Sequence, residues 1–357
     1  MTESRIRITV GPVMPSFGVG VRSLLTYGLA VALLVPLGTA AYAQSSTTPG
    51  ARAARPTRHA SPRPAAQQVT LTVRSSPAPT LTTIIQPSAF DQLRSDLDAI
   101  AGRSGAQLGI SLVELSGRGR QTLSLNGGQG FYAASEYKLP LLMAEAQQVA
   151  AGQSSAGDSL CFDPSDGEDG WFQDYEPGSC FSRAELVSRT GLYSDNTAAR
   201  ILVRYLGGPD ALNGYARAAG MANSTLWDPN TTTANDLTAI LVNESLGQLG
   251  GPAAQGWLYP NLVHTSTEAG IPAGVPAGAR VLHKTGDMYG TENDAADVSN
   301  GSVHYVLAVC VSGLDEPSGW NLVQRISARI WQYEAGRPDY PAPILASPAP
   351  RLHDARH

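Results

Sequence analysis

Two lysines carry the first chemical signal in this chain. Among its 25 basic residues, only Lys138 and Lys284 are lysines. A guanidinium stays protonated, whereas a desolvated ammonium group can lose its proton and act as a base. Lys138 follows Ser135 by three residues, a spacing that places both side chains on one face of a helix. Because a neutral amine there could take the hydroxyl proton, Ser135 is predicted to be an acylating nucleophile.

Two further motifs follow in order along the chain. Ser194-Asp195-Asn196 precedes a helix-forming run, and Lys284-Thr285-Gly286 ends a predicted strand. Ordinary helix capping or turn chemistry would explain any one of these residues. The ordered set, with each motif beside a suitable predicted element, points instead to one hydrolase site. Asp195 is predicted to be structural and to brace a loop.

With these three motifs the chain resembles the penicillin-recognising serine enzymes, and specifically the class A β-lactamases. The resemblance covers roughly residues 90–335 and implies their fold. It implies that Ser135 is the nucleophile, that Lys138 is its general base, and that Ser194 relays a proton to the leaving nitrogen. The implied substrate is a β-lactam or a peptidoglycan peptide, and no cofactor is expected.

The resemblance also implies how the substrate is held. Asn196 would hydrogen-bond the amide side chain of the substrate. Lys284 and Thr285, with Gly286 in the same motif, would bind the substrate and its carboxylate. The oxyanion hole would consist of the backbone N–H groups of Ser135 and Asp287, and such donors are typically worth about 10²–10³ in rate each.

The chain departs from the resemblance where the acyl-enzyme must be hydrolysed. Class A enzymes activate the hydrolytic water with a glutamate on an Ω-loop, but the corresponding residues 221–230 contain no glutamate. Asp228, between Trp227 and Pro229, could be a shorter substitute, or it could start a turn before the next helix. The motifs therefore predict acylation and leave rapid deacylation open. Two alternatives remain, a D-alanyl-D-alanine peptidase of the penicillin-binding type and a non-hydrolytic β-lactam-binding envelope protein.

Two of the three cysteines are expected to form a disulfide, which an exported protein can maintain. Cys161 and Cys180 bracket 18 residues that include six acids and no base, and we expect the two cysteines to be paired. This acidic loop could gate the cleft, repel anionic β-lactams, hold Ca²⁺ through its carboxylates, or simply be solvated. Cys310 lies in a strand-like run and is predicted to be a buried, inert thiol. No Cys and His spacing suggests a metal site.

Charge divides the chain into a basic N-terminal part and an acidic body. Residues 1–90 contain eight arginines and one acid, whereas residues 91–357 have a net charge of −12. Residues 1–43 have the pattern of a signal peptide or membrane anchor, and residues 44–88 that of a disordered linker. The protein is therefore predicted to be secreted or held in the cell envelope, as a monomer. An acidic body also excludes nucleic acid as a partner.

Hydrophobic periodicity predicts an α+β fold for residues 89–336, followed by a loose tail over residues 337–357. Strands are expected at both ends of this domain around a mostly helical block, which implies one antiparallel sheet completed by both ends and flanked by helices. His283 and His304 fall on or beside predicted strands and are expected to be structural. The other predicted elements are listed in chain order: helix Phe90–Ala101, strands Gln107–Leu115 and Gln121–Leu125, a helical stretch Ser135–Ala151, helix Ala234–Asn243, strands Ala279–Thr285 and Val303–Val311, and helix Trp320–Tyr333.

Overall fold

Both ends of the domain contribute strands to one sheet in the computed structural model, which describes residues 87–337. The helices and strands in chain order are α1 (Ala89–Ser104), β1 (Gln107–Glu114), β2 (Thr122–Leu125), β3 (Phe131–Tyr132), α2 (Lys138–Ala150), β4 (Ser159–Cys161), β5 (Cys180–Ser182), α3 (Arg183–Leu192), α4 (Asn196–Leu206), α5 (Pro209–Ala218), β6 (Thr231–Thr232), α6 (Ala234–Ser245), α7 (Gly251–Leu258), β7 (Arg280–Met288), β8 (Thr291–Ser299), β9 (His304–Ser312) and α8 (Glu316–Ala335).

The central sheet has five antiparallel strands in the order β2-β1-β9-β8-β7. The N-terminal strand β1 pairs along its length with the C-terminal strand β9, so that Ile110 lies opposite Val309. Helices α2 to α7 come from the chain between the two groups of strands. The predicted α+β fold, with a sheet completed by both ends and a mostly helical insertion, is confirmed.

One strand of this sheet was missed from the sequence. The late strands were predicted as two, yet a third, β8, lies between them. The polar residues of β8 give it low intrinsic strand propensity. It forms nevertheless because β7 and β9 supply backbone hydrogen-bond partners on both edges. Five of its polar side chains are at most 3% exposed: Thr291, Glu292, Asn293, Asp294 and Asp297.

Each face of the sheet is covered by a different group of helices. On β9, Leu307 and Val309 pack in the cluster formed with α1 and α8, where Ile326 is fully buried. Ala308 and Cys310 alternate with them and pack in the cluster formed with the helical insertion. This period-two alternation is the expected behaviour of a strand that is buried on both faces. The sheet is therefore a rigid wall between the two cores.

The helical stretch predicted over Ser135–Ala151 is divided into two pieces. Residues Ala134–Tyr137 form a 3₁₀ helix, and α2 begins at Lys138. Such 3₁₀ turns are common at the N-termini of α-helices. Ser135 in the 3₁₀ helix is still one helical turn before Lys138, as the spacing predicted. The terminal helices extend beyond their predicted ends, to Ser104 for α1 and Ala335 for α8.

Several predicted segments lie wholly or partly outside the described residues. These are the signal peptide or anchor over residues 1–43, the linker over residues 44–88 as far as residue 86, and the tail from residue 338 onward. Between residues 87 and 337, none of the helices combines the length and apolarity needed to span a bilayer.

Replacing Ile326 by alanine tests the packing of α8 on the sheet. Ile326 is 0% exposed, so Ile326→Ala should lower the free energy of unfolding by about 2–5 kcal/mol through a cavity in the core. Denaturant unfolding monitored by circular dichroism measures it. The neighbouring Arg325 is exposed, and Arg325→Ala should change stability by less than about 0.5 kcal/mol. Equal effects of the two variants would contradict the packing described here.

Candidate active site

The amine of Lys138 is buried at the start of α2 and is surrounded by residues of the other motifs. Lys138 is 0% exposed, and its Nζ lies 3.0 Å from Ser135 Oγ. It donates to the carbonyl oxygen of Ser194 at 2.5 Å and to Asn196 Oδ1 at 2.7 Å. Both of these atoms can only accept. Two N–H groups of a neutral amine satisfy them, and its lone pair is then left for the hydroxyl of Ser135.

Burial favours the neutral form of Lys138. Desolvation lowers the pKa of Lys138 well below its usual value, and the positive charge of Lys284 lowers it further. More distant carboxylates, those of Asp195 and Asp287 among them, oppose the change without reversing it. A buried ammonium without a bound counter-ion is costly. The geometry and the electrostatics therefore both suit a base that takes the proton of Ser135.

Ser194 bridges the two lysines. Its hydroxyl lies 3.1 Å from Lys138 Nζ and 3.0 Å from Lys284 Nζ. Lys284 is 2% exposed and also donates to the carbonyl oxygen of Thr285 at 2.8 Å. A proton can pass through such a chain of hydrogen-bonded groups without crossing solvent.

Close packing of β7 against the 3₁₀ helix aligns the first and third motifs. A Cβ at Gly286 would lie only 2.4 Å from the carbonyl oxygen of Ala133, so this position admits only glycine. Ala134, which precedes Ser135, and Ser194, which contacts the lysine amine, adopt positive φ angles of 47° and 55°. Residues rarely adopt this conformation unless the surroundings impose it. In Ser194 it allows the carbonyl oxygen and the hydroxyl to face the same amine.

A cleft of about 270 Å³ opens above these groups. Ser135 and Asp287, whose backbone N–H groups were predicted as the oxyanion hole, both line it, as does Asn196. The buried side chains of Lys138, Lys284 and Thr285 lie behind this wall. The lining residues are Tyr132, Ala134, Ser135, Tyr137, Glu168, Asn196, Arg200, Trp227, Asn230, Asp287, Met288 and Tyr289.

Asp195 fastens the acidic loop to the second motif. It is 0% exposed and caps α4 by accepting from Ala198 N at 2.8 Å. It also accepts from Trp171 N at 3.0 Å and from the hydroxyl of Tyr175 at 2.8 Å. Asn196 Nδ2 donates to the carbonyl oxygen of Asp169 at 2.9 Å. The predicted bracing role of Asp195 thus corresponds to a set of specific hydrogen bonds.

Arginines of the helical insertion bind three of the six acids of this loop. The pairs are Asp166 with Arg204 at 2.7 Å, Glu168 with Arg200 at 2.7 Å, and Asp174 with Arg189 at 2.6 Å. These contacts use carboxylates that the calcium alternative required, and within residues 87–337 no group of three or more His, Cys, Asp or Glu side chains could hold a metal ion. The loop is docked on the second motif and is more than a solvated surface loop.

The cysteines lie as the sequence predicted. Cys161 and Cys180 are neighbours on β4 and β5 and form a disulfide at the base of the acidic loop. Cys310 is a free, buried thiol. The two histidines contact carboxylates of the sheet, His283 with Asp294 and His304 with Asp297.

In the segment that lacks the glutamate, the structure places Asp228 outside the cleft. Asp228 is exposed and does not belong to the wall of the cleft, whereas its neighbours Trp227 and Asn230 do. Asn230 Nδ2 donates to the carbonyl oxygen of Ala134 at 2.8 Å. Its buried Oδ1 has no hydrogen-bond partner among the described residues. Neither Asn230 nor Arg200 was predicted from the sequence as a site residue, although Asn230 lies only two residues beyond Asp228.

Fold and site together define the class of penicillin-recognising serine enzymes. Residues 92–334 match the model of the β-lactamase enzyme family, and the chain belongs to this family and is a serine hydrolase. It is 28% identical over 235 residues to the β-lactamase OXY-2 of Klebsiella oxytoca, across 58% of this chain and 77% of that relative. It is 28% identical over 232 residues to the β-lactamase CTX-M-8 of Citrobacter amalonaticus, across 58% and 76%.

Solved structures of the same class superpose on the fold. One is PBP-A, with a TM-score of 0.64 and 27% identity over 68% of this chain and 95% of that chain. Another is a β-lactamase from Sphaerobacter thermophilus, with a TM-score of 0.63 and 25% identity over 70% and 98%. The structural likeness thus extends to a protein designated a PBP as well as to β-lactamases.

Replacing Asp195 by asparagine tests the attachment of the acidic loop. In the wild type, one carboxylate oxygen of Asp195 accepts from Ala198 N and the Tyr175 hydroxyl, and the other accepts from Trp171 N. Asp195→Asn keeps only one of these oxygens, so its NH₂ group would face a donor on the other side. We expect a loss of about 2–3 kcal/mol in the free energy of unfolding and faster limited proteolysis within residues 163–179. Denaturant unfolding and peptide mapping measure these effects. Asp169→Asn, at an exposed position of the same loop, should change neither, and a stable, protease-resistant Asp195→Asn would contradict the assignment.

Proposed function

We propose that this protein is an exported, monomeric serine hydrolase that is acylated at Ser135 by β-lactams or related amides. The observation that carries the proposal is the buried amine of Lys138, 3.0 Å from the Ser135 hydroxyl. Family membership and the named β-lactamase relatives support the substrate class. A solved mutant of PBP-A is an acyl-enzyme complex with penicillin G, which supports acylation on this fold. No cofactor takes part.

In the acylation step, Lys138 takes the hydroxyl proton and Ser135 Oγ bonds to the substrate carbonyl carbon. The negative charge that develops on the carbonyl oxygen is stabilised by the backbone N–H groups of Ser135 and Asp287. The C–N bond then breaks, and the leaving nitrogen receives a proton through the hydroxyl of Ser194. Asn196 holds the amide side chain of the substrate, while Lys284, Thr285 and Gly286 hold its carboxylate end.

Hydrolysis of the acyl-enzyme is the slow step in this proposal. No carboxylate from residues 221–230 reaches the wall of the cleft, since Asp228 is exposed outside it. Glu168 lies in the wall, but its carboxylate is bound by Arg200. The unpartnered Oδ1 of Asn230 can accept a hydrogen bond from a water but cannot act as a strong base. The acyl-enzyme should therefore accumulate.

A D-alanyl-D-alanine peptidase is the second candidate. The missing loop glutamate and the likeness to PBP-A support it, whereas the family model and the named curated relatives are β-lactamases. The two functions use the same acylation machinery and differ in the substrate that is turned over. Release of D-alanine from a peptide ending in D-alanyl-D-alanine distinguishes them from turnover of a chromogenic cephalosporin.

Mass spectrometry of the intact protein tests the proposed nucleophile. With excess benzylpenicillin, the wild type should gain the mass of one penicillin, and a chromogenic cephalosporin should show a burst followed by slow turnover. Ser135→Ala should form no adduct. Lys138→Arg should be acylated about 10²–10⁴-fold more slowly, because a guanidinium cannot act as the base. Circular dichroism checks that both variants are folded. An adduct on Ser135→Ala, or a wild type that never reacts, would overturn the proposal.

The charge of Lys284 should limit acylation at high pH. Burial lowers the pKa of Lys284 to about 8. Because the charged form binds the substrate carboxylate, the second-order rate of acylation should fall as the pH rises through about 8. Stopped-flow measurements between about pH 6 and 10 record this limb. Arginine remains charged over that range, so Lys284→Arg should lose the decline even if its plateau is lower. If the acylation rate of Lys284→Arg still fell in the same way as the pH rose, the fall would be caused by the titration of another group.

A further inference from the structure

An unpaired carboxylate lies beside the proposed binding site for the substrate carboxylate. Asp287 immediately follows the third motif, is exposed, and lines the cleft. Its carboxylate makes no hydrogen bond or ion pair with the residues that the structure describes. The other acid of the cleft wall, Glu168, is bound by Arg200 at 2.7 Å. Asp287 therefore presents the one uncompensated negative charge among the described residues of this wall.

Strand geometry places this charge next to Thr285. Thr285 and Asp287 are two residues apart on β7, so both side chains project from the same face of the strand, with Cα atoms about 7 Å apart. The residues paired with them on β8 are also acidic, Asp294 opposite Thr285 and Glu292 opposite Asp287. Asp294 is bound to His283 at 3.0 Å. Both Asp294 and Glu292 are buried and neither lines the cleft. Asp287 is therefore the acid among these paired residues that faces the substrate space.

Lys284, the cation of the third motif, forms no ion pair with Asp287. Lys284 is buried and hydrogen-bonded to Ser194 and Thr285. Burial lowers the pKa of Lys284, and Asp287 is one of the carboxylates that oppose this shift. Two unit charges about 7 Å apart interact here at an effective dielectric constant between those of water and a protein surface. This interaction changes the affinity for a charged substrate by about tenfold. An effect of that size is sufficient to select between substrates.

We propose that Asp287 is a specificity-determining residue that disfavours substrates with a carboxylate beside Thr285 and favours those with a basic group there. Lys284 and Thr285 still bind a carboxylate, and Asp287 shifts selectivity towards acyl compounds whose group at this subsite is amidated and carries an amine. The inference rests on the proposed function, because it assumes acylation of Ser135. Asp287 acts here through its side chain, while its backbone N–H remains available for the oxyanion hole.

Three forms of one penicillin test the proposal. Benzylpenicillin has a free carboxylate, its methyl ester is neutral, and its aminoethyl amide is cationic, while the reacting ring is the same. Second-order acylation rates are measured by intact mass for the wild type, Asp287→Asn and the control Asp169→Asn. In Asp287→Asn the acid should react about tenfold faster, the ester should change less than about twofold, and the cationic amide should react about tenfold more slowly. High salt should reduce these differences.

The outcomes separate this inference from the proposed function. An Asp287→Asn variant that changes all three rates by one factor would indicate a role in the oxyanion hole or in folding, and would overturn the inference alone. The same pattern in Asp169→Asn would show that any nearby acid has this effect, and would also overturn it. A wild type that none of the three compounds acylates would overturn the proposed function, and the inference with it.

Discussion

Burial of the Lys138 amine is the constraint on which the site depends. An ammonium group that is removed from water without a counter-ion loses several kcal/mol of solvation, so the fold must either pair it or neutralise it. Its nearest partners are all uncharged: the hydroxyl of Ser135, the carbonyl oxygen and hydroxyl of Ser194, and the side-chain oxygen of Asn196. These groups satisfy a neutral amine and leave its lone pair directed at a hydroxyl.

The second motif then has a structural task as well as a chemical one. Ser194 adopts a positive φ of 55°, which is maintained only if the surrounding chain fixes it. Asp195 fixes it from the adjacent position by capping α4 and by accepting hydrogen bonds from the acidic loop. The disulfide between Cys161 and Cys180 closes that loop, and arginines bind its acids. The loop thereby supports the geometry around Lys138.

Much of this arrangement could be predicted from the sequence because its signals are local. A spacing of three residues places Ser135 beside Lys138, and apolar periodicity identifies α1, α8 and four of the five strands of the central sheet. By contrast, β8 was missed because its polar residues acquire strand structure only from β7 and β9. The docking of the acidic loop was predicted only in part. Asp195 was expected to brace a loop, but no local pattern indicates which arginines of α3 and α4 bind the acids of the loop. Likewise, no local pattern shows that Asn230 would face the cleft while Asp228 would not.

The protonation state of Lys138 tests the central claim most directly. Because the chain contains two lysines, protein labelled with ¹³C at lysine Cε should give two signals, and Lys138→Arg assigns one of them by its loss. The account predicts that the Lys138 signal already has the shift of a neutral amine at pH 7, while the Lys284 signal titrates near the pKa of about 8. A Lys138 signal that keeps the shift of an ammonium group up to about pH 10, near the ordinary lysine pKa, would contradict the account.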